Sequence, residues 1–116
     1  MVLAMSPTLV ALLILVVGSP ASAASVLSIG DGDTISVREG SQRIKVRLAC
    51  IDAPETSQSP YGMEARQALQ KLLPVGTGVT MRTKAIDRYG RTVGEVLKGS
   101  TNINQSLVGY GNAFVY

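Results

Sequence analysis

Three consecutive segments in the first half of the chain are predicted strands, and apolar and polar residues alternate along the second and most of the third. The segments are residues 25–30 (SVLSIG), 35–38 (ISVR) and 43–51 (RIKVRLACI), and short links rich in Asp, Gly and Ser separate them. Successive side chains of a strand point to opposite faces, so a period of two is typical of a half-buried strand. The three segments therefore predict three strands that form a meander.

A helical period replaces the alternation after residue 60. Ser59 is predicted as the N-cap, Pro60 as the first helical residue and Pro74 as the residue that stops the helix. Segments 78–85 and 92–97 predict a fourth and a fifth strand, and a short helix is expected near residues 103–109. The apolar positions that define the first helix are Tyr61, Ala65, Ala68, Leu69, Leu72 and Leu73.

This order of elements predicts the fold class, which is mainly β with helices. Five strands with a helix between the third and the fourth are the order of an OB-fold barrel. The chain of 116 residues is long enough for one domain. The unbroken apolar run at residues 9–17 is shorter than the ~20 residues that a bilayer span needs. The sequence Ala21-Ser22-Ala23 that follows it fits the small-x-small rule of signal peptidase. We therefore interpret residues 1–23 as a signal peptide and 24–116 as the mature domain, which predicts a secreted or periplasmic protein.

Charge is confined to the middle of the chain and is slightly positive. The 11 basic and 8 acidic residues all lie between Asp31 and Lys98, and they give a net charge of +3. This excess suits a polyanionic partner, although an ordinary basic surface explains it equally well. Cys50 is the single cysteine, so no intramolecular disulfide forms, and its place in the alternation predicts a small core residue.

The absence of histidine narrows the chemistry that the chain can perform. With no His and one Cys, the usual zinc sites are excluded, and so are His-based general bases and Ser-His-Asp triads. A bound metal has to be held by oxygen, which favours Ca²⁺ or Mg²⁺. Hydrolysis would then depend on carboxylates, arginines and a hard cation.

The first constellation with chemical potential is the acidic turn Asp31-Gly32-Asp33-Thr34. Closely spaced Asp residues with a Gly often hold calcium, because carboxylates are hard ligands and Gly lets the backbone bend. The EF-hand pattern is not matched, since its third acid and its distal Glu are missing. Taken alone, the turn is also explained by ordinary Asp-Gly turn chemistry.

The second constellation begins in the third predicted strand and ends in a loop. Arg47 is a charge in an otherwise apolar run, and Pro54 stiffens the spacing between Asp52 and Glu55. Asp52 can join Asp33 as a second carboxylate ligand, and Glu55 can activate or orient a water beside the metal. The alternative interpretation is a solvated acidic loop.

The third constellation is the segment Asp87-Arg88-Tyr89-Gly90-Arg91. Arg47 and Arg91 are candidates for bidentate phosphate contacts, because the guanidinium fork matches phosphate oxygens. Tyr89 can stack on a base or hydrogen-bond to a phosphate. A hairpin turn with surface charges is the alternative.

Taken together, the constellations closely resemble the staphylococcal nuclease-like (thermonuclease) family. The resemblance covers roughly the whole mature chain. The acidic turn, the segment from Arg47 to Glu55 and the segment from Asp87 to Arg91 are together highly specific. The matching segments are Asp31-Gly32-Asp33-Thr34, Arg47 to Glu55 (RLACIDAPE), Tyr61 to Ala65 (YGMEA), Asp87 to Arg91 (DRYGR) and the tail Asn102 to Tyr116.

The resemblance implies an enzyme, a Ca²⁺-dependent nuclease on an OB-fold that cuts DNA and RNA to 3′-phosphate ends. Asp33 and Asp52 match side chains that bind calcium in the family, and Ala53 matches a residue that binds it through the backbone carbonyl. Asp31 matches an acid near the metal that acts through water. The expected substrates are single-stranded or denatured DNA and RNA, with no membrane partner after signal cleavage and a monomeric state.

The resemblance also implies roles in catalysis and substrate binding. Glu55 matches the proposed general base, and Arg47 and Arg91 match residues that stabilise the charged transition state. Tyr89 matches a nucleotide contact, and Arg88 beside it is the second expected substrate contact.

Three departures from the family pattern leave other outcomes open. Ala53 replaces a hydroxyl-bearing residue, Phe114 stands at the position of a nucleotide-contacting Tyr, and the family's C-terminal helix beyond Tyr116 is missing from this sequence. A mature chain without that helix is expected to be marginally stable. The alternatives to the nuclease are a non-catalytic OB-fold nucleic-acid binder and an inactive truncated fragment.

Overall fold

The structure is a computed structural model, and it describes residues 22–115. Two helices lie between the strands of the described part of the chain: α1 (Tyr61–Leu72) and α2 (Ile103–Gly109). The eight strands are β1 (Ser22–Ile29), β2 (Thr34–Glu39), β3 (Gln42–Leu48), β4 (Ile51–Asp52), β5 (Gly78–Ile86), β6 (Thr92–Lys98), β7 (Thr101–Asn102) and β8 (Phe114–Val115).

Five of these strands form a closed mixed barrel. Strand β1 pairs antiparallel with β2 and with β5, β2 pairs with β3, and β5 pairs with β6. A parallel pairing between β3 and β6, from Val46 opposite Thr92 to Leu48 opposite Gly94, closes the barrel. Helix α1 lies in the connection between the third and fourth barrel strands, so the predicted OB-fold is confirmed.

The alternation in the sequence places the core inside the barrel. Ile35 and Val37 of β2 are buried, and so is Val46 of β3, whereas Ser36 between them is partly exposed. Leu69 and Leu73 are fully buried, which places the apolar face of α1 against the core as its helical period predicts. The predicted short helix after residue 102 is present as α2, and the Asn102 side chain caps it by accepting a hydrogen bond from Gln105 N–H at 3.1 Å.

The end of the third strand differs from the prediction. The strand stops at Leu48, because Ala49 and Cys50 form a turn in which Cys50 has φ +64°. That left-handed conformation breaks the alternation and leaves Cys50 exposed, so the prediction of a core cysteine is wrong. The chain becomes extended again in β4, which pairs with β8 outside the barrel.

The start of α1 also differs. The helix begins at Tyr61 with Pro60 in the capping position, and no side chain caps it, so the prediction of Ser59 as N-cap is wrong. Backbone groups of the preceding loop provide partners instead, since Gly62 N–H donates to the Gln58 carbonyl at 2.7 Å. A loop packed closely against the first turn of the helix satisfies the free N–H groups that a side-chain cap would otherwise satisfy.

Two glycines allow this close packing. A Cβ on Gly62 would overlap the backbone carbonyl of Glu55, and a Cβ on Gly32 would lie 2.7 Å from the Cβ of Ala65. The loop between β1 and β2 and the loop after β4 are therefore both held against the first turns of α1. Any larger residue at Gly62 has to push the helix and the Glu55 loop apart.

The predicted signal peptide falls almost wholly outside the described residues, which begin at Ser22. Ser22 and Ala23, its last two residues, lie in β1 opposite Met81 and Thr80 of β5. Cleavage before Ala24 would leave the other six residues of β1 in the mature chain. Within residues 22–115, neither helix has the length and apolar character required to cross a membrane.

One buried amide fastens α2 to the barrel. Asn104 is 4% exposed, and its side-chain oxygen accepts a hydrogen bond from Val96 N–H at 3.2 Å. Its Nδ2 donates to the carbonyls of Ala49 at 3.0 Å and Gly94 at 3.2 Å. Because Ala49 begins the turn that leads into β4, this amide also fixes the start of the loop that carries Asp52.

We expect Asn104→Leu to lower the free energy of unfolding by about 2–4 kcal/mol, because it leaves one buried donor and two buried carbonyls without their partner. Urea unfolding followed by circular dichroism measures the change. Gln105→Leu, at the exposed neighbouring position, is the control and should shift the midpoint much less. Equal midpoints for the two variants would show that the Asn104 contacts contribute nothing.

Candidate active site

The predicted site residues meet at one end of the barrel. This end contains the loop from β1 to β2, the end of β3 and the turn from β5 to β6. The register pairs Thr34 with Arg47 across β2 and β3, and Val46 with Thr92 across β3 and β6. These pairings bring together segments that are separated by up to 60 residues in the sequence.

Asp33 is the buried carboxylate at the centre of this end. The residue is 6% exposed, and its Oδ2 accepts a hydrogen bond from Ala53 N–H at 2.8 Å. Its Oδ1 accepts the hydroxyl of Thr34 at 3.0 Å, and its backbone carbonyl accepts Leu48 N–H at 2.8 Å. Asp33 therefore joins the β1–β2 loop to β3 and to the loop after β4.

Arg47 is held between two carboxylates. Its Nη2 lies 3.4 Å from Asp33 Oδ2 and 3.3 Å from Asp52 Oδ1. Its Nη1 donates to the carbonyls of Ile51 at 2.9 Å and Leu48 at 3.0 Å. The side chain is only 15% exposed, so the guanidinium has one fixed orientation with its plane set by four acceptors.

Asp52 is the accessible member of this cluster. Its side chain is 66% exposed, and its backbone lies in β4 opposite Phe114 of β8. A carboxylate with this exposure can turn towards a ligand without breaking core contacts. Asp33 is fixed, Asp52 is open, and Arg47 connects them.

The loop after β4 holds Glu55 without engaging its carboxylate. Glu55 N–H donates to the side-chain oxygen of Gln58 at 2.7 Å, and Gln58 N–H donates back to the Glu55 carbonyl at 2.8 Å. Asp31 supports the same loop, since its Oδ1 accepts Thr56 N–H at 3.1 Å. Within residues 22–115 the exposed Glu55 carboxylate makes no hydrogen bond or ion pair, so it is free to act on a ligand.

The turn between β5 and β6 is organised by Asp87. Its Oδ1 accepts the backbone N–H groups of Tyr89 and Arg91, each at 2.9 Å, and its Oδ2 accepts Arg91 Nε at 2.7 Å. Burial raises the pKa of Asp87, but the hydrogen bonds from Arg91 and Tyr89 outweigh it and hold the pKa below the ordinary value. The ion pair leaves the two terminal nitrogens of Arg91 available for another anion.

Tyr89 and Arg88 lie on the outside of this turn. Tyr89 is 69% exposed, and Arg88 Nη2 donates to its hydroxyl at 2.9 Å. The guanidinium carbons of Arg88 and Arg91 lie 5.0 and 5.4 Å from the centre of the tyrosine ring. An exposed aromatic ring between two cations is a suitable surface for a nucleotide base and its phosphate.

A cleft of about 620 Å³ opens beside the Asp33–Arg47 cluster. Asp31 and Thr34 line it from the β1–β2 loop and β2, and Arg91 lines it from the turn before β6. The structure thus gathers the predicted site residues into two groups. The first is Asp31, Asp33, Arg47, Asp52, Ala53 and Glu55, and the second is Arg88, Tyr89 and Arg91.

The donor set at the first group fits a hard cation. Asp33 and Asp52 supply carboxylate oxygens that converge on one nitrogen of Arg47, and Asp31 lies in the adjoining loop. Among residues 22–115 no three acidic or Cys side chains are close enough to form a ligand cluster by themselves. A cation here would need backbone carbonyls and water to complete its coordination, which is usual for Ca²⁺ and Mg²⁺.

Some residues important to this geometry carried no usable signal in the sequence. Gln58 holds the Glu55 loop but has no feature that distinguishes it from an ordinary loop residue, and Gly62, which lets that loop touch α1, is noticeable only as part of the family segment YGMEA. For Gly62 the available clue is a Gly within the first turn of a predicted helix, because Gly at such a position suggests a close backbone approach.

The fold and site together define the class of protein: a closed OB-fold barrel with a carboxylate–arginine cluster at one end. A sequence profile described as "Staphylococcal nuclease homologue" matches residues 45–116. The chain belongs to this family, as its motifs predicted.

Individual relatives agree with this assignment. The chain is 42% identical to a protein of Shigella flexneri named micrococcal nuclease, over 91% of this chain and 67% of that protein. It is 42% identical to protein ParB of Escherichia coli, over 91% of this chain and 66% of the relative. An uncharacterized endonuclease of Haemophilus influenzae is 41% identical, over 78% of this chain and 51% of its own length. The chain therefore spans about half to two thirds of the length of these relatives.

We expect Asp87→Asn to lower the thermal midpoint at pH 7, because an amide cannot accept all the bonds that the carboxylate accepts. The folded-state pKa lies below the unfolded one, so the stabilisation is present above about pH 4 and is lost as the pH falls further. Melting curves from pH 7 to pH 3 should show the wild type approaching the variant at the acid end. A constant difference across this range would contradict the ionised role of Asp87.

Proposed function

We propose that the protein is a secreted or periplasmic, Ca²⁺-dependent nuclease that hydrolyses DNA and RNA to 3′-phosphate ends. The observation that carries the proposal is the convergence of Asp33 and Asp52 on Arg47 beside an unengaged Glu55. Family membership and the relatives named nuclease and endonuclease support hydrolysis of nucleic acid. The apolar run at residues 9–17 supports export.

In this proposal the carboxylate cluster holds the cation. Asp33 and Asp52 bind it by side chain, Ala53 by its backbone carbonyl, and Asp31 through a water molecule. When bound, Ca²⁺ neutralises phosphate charge and acts as a Lewis acid on a phosphate oxygen. Asp33 would hold the cation from a buried, hydrogen-bonded position, and Asp52 would hold it from an exposed one.

The arginines stabilise the charge that develops on the phosphate. Arg47 presents a guanidinium oriented by the carbonyls of Leu48 and Ile51, and its Nη2 binds the phosphate by giving up its contact with the exposed Asp52 carboxylate. Arg91 offers its terminal nitrogens, because Asp87 engages Nε. Phosphoryl transfer depends mainly on such positioning and charge stabilisation.

Glu55 is the proposed general base. Its carboxylate takes a proton from water as the water oxygen attacks phosphorus, and the bond from phosphorus to O5′ breaks. The leaving O5′ takes a proton from solvent, which gives a 5′-hydroxyl and a 3′-phosphate. The loop bonds through Gln58 hold the Glu55 backbone in place while its side chain remains free to reach the water.

Substrate contacts outside the reaction centre come from Tyr89 and Arg88. The exposed ring stacks on a base, and Arg88 contacts a neighbouring phosphate. Stacking requires an unpaired base, which favours single-stranded or denatured substrates. One barrel carries the whole proposed site, so the protein acts as a monomer.

We expect Glu55→Gln to lower kcat about 10²–10⁴-fold on heat-denatured DNA, because the amide cannot accept the proton. Assays of the purified protein in Ca²⁺ and in EGTA, with the ends of the products identified, test the whole proposal. Glu39→Gln removes one acid from the far end of the β2–β3 hairpin and should cleave like the wild type.

Equal kcat values for Glu55→Gln and the wild type would show that Glu55 is not the general base. Cleavage that persists in EGTA would contradict the calcium requirement. Retention of denatured DNA without cleavage would favour the non-catalytic binder, and a melt with no cooperative transition would favour the inactive fragment.

We also expect Arg47→Lys to lower kcat about 10²–10³-fold, which is the usual effect of removing one preorganised donor from a transition-state site. A lysine keeps the charge but cannot contact two backbone carbonyls and two carboxylates at once. A matched comparison is Arg43→Lys, four residues earlier on the same strand face and away from the carboxylates. Equal kcat values for the two variants would show that the guanidinium geometry is irrelevant.

A further inference from the structure

A row of cations lies on the outer face of the β2–β3 ribbon. Arg43 and Lys45 share one face of β3 with Arg47, because side chains alternate along a strand. Directly opposite on β2, Arg38 faces Arg43 and Ser36 faces Lys45. We call Arg38, Arg43 and Lys45 the ribbon cations.

The ribbon cations lack acidic partners. Within residues 22–115 none of the three makes an ion pair, and all three are exposed. Like charges directly opposite one another in a sheet destabilise it, so the pairing of Arg38 with Arg43 opposes folding. This arrangement has no stabilising partner in the described fold and needs another explanation.

The neighbouring ribbon of β5 and β6 shows the arrangement that folding alone favours. There Glu95 lies directly opposite Arg82, and its Oε1 is 3.4 Å from Lys84 Nζ. A hydrogen bond from Asn102 and the charges of Lys84 and Arg82 lower the pKa of Glu95, although burial raises it. The β5–β6 ribbon thus places a carboxylate among its cations, whereas the ribbon cations have no carboxylate within ion-pair distance among residues 22–115.

The ribbon cations are continuous with the candidate active site. Lys45 and Ser36 line the same cleft as Asp31, Thr34 and Arg91. Arg66 lines its helix side, where its Nε is buried and has no acceptor among the described residues. The cleft is therefore bordered by cations on both walls, and Arg43 and Arg38 lie two positions further along the ribbon from Lys45 and Ser36.

We propose that the ribbon cations form a second nucleic-acid contact surface, which binds phosphates of the substrate strand several nucleotides from the bond that is cut. This inference rests on the proposed nuclease function and assigns the path of the strand. The strand leaves the carboxylate–arginine cluster, passes between Lys45 and Arg66, and follows the β2–β3 ribbon. The hydroxyl of Ser36 adds a hydrogen-bond donor along this path.

The test compares two triple variants that remove the same charge. One is Arg38→Gln, Arg43→Gln and Lys45→Gln, and its control is Lys71→Gln, Arg82→Gln and Lys98→Gln, exposed positions away from the ribbon. Binding of a fluorescent 15-nucleotide oligothymidylate is measured by anisotropy in EDTA at several salt concentrations. This readout does not require the protein to cleave.

For a single strand, each phosphate contact contributes about 0.7 to the slope of log affinity against log salt. Loss of three contacts should therefore reduce the slope of the ribbon variant by about 2. If the two proteins bind equally at 1 M salt, the variant should bind roughly 100-fold more weakly than the wild type at 0.1 M salt. The control variant should lose little. We also expect the thermal midpoint of the ribbon variant to stay equal or rise, since the Arg38–Arg43 repulsion is gone.

Each result has a separate meaning for the two proposals. Equal slopes for the two variants, or no binding by the wild type, would overturn the ribbon surface. A smaller salt slope in the ribbon variant than in the control supports the ribbon surface even if the wild type fails to cleave. In that case only the nuclease proposal fails. If the wild type cleaves, the ratio of kcat/KM for the 15-mer to kcat/KM for a dinucleotide should fall in the ribbon variant and stay unchanged in the control variant.

Discussion

The buried carboxylate of Asp33 is the contact on which the functional end of the barrel depends. It accepts Ala53 N–H and the hydroxyl of Thr34 and lies beside the Arg47 guanidinium, so it connects three segments that are remote in sequence. A buried charge is tolerated only where partners compensate for the lost solvation. The compensation comes from the elements that the site needs, so folding and site assembly use the same contacts.

The site combines restrained supports with exposed carboxylates. Arg47 is restrained by backbone carbonyls, and Gly62 lets the Glu55 loop lie directly on α1. The groups that would meet a ligand, Asp52 and the Glu55 carboxylate, remain exposed on these fixed supports. The scaffold restrains the backbone and leaves the reactive ends free, which suits a long polymer that must enter and leave.

The strands and helices could largely be predicted from the sequence, because alternation and helical period record which faces are buried. The predictions of a buried Cys50 and of Ser59 as the N-cap are wrong, because a single left-handed residue and a backbone-capped helix start leave no periodic signal. The site residues were found through family motifs. Their mutual contacts, such as Asp33 with Ala53, required the barrel itself, because no local pattern encodes a pairing across 20 residues. The grouping of the ribbon cations on one face likewise depends on the strand register, which places Arg38 opposite Arg43.

The parallel pairing of β3 with β6 has a consequence for the order of events during folding. It joins Val46 to Thr92, and the antiparallel pairing of β1 with β5 likewise joins distant residues, Ser22 and Met81, whereas the remaining barrel pairings link strands that follow one another in the chain. Contacts between distant parts of a chain are costly to close and tend to form slowly. Arg47 and the turn that carries Arg91 are brought to the same end of the barrel by this pairing of β3 with β6. We therefore expect the two groups of the candidate site to come together late in folding, after the hairpins that carry them have formed.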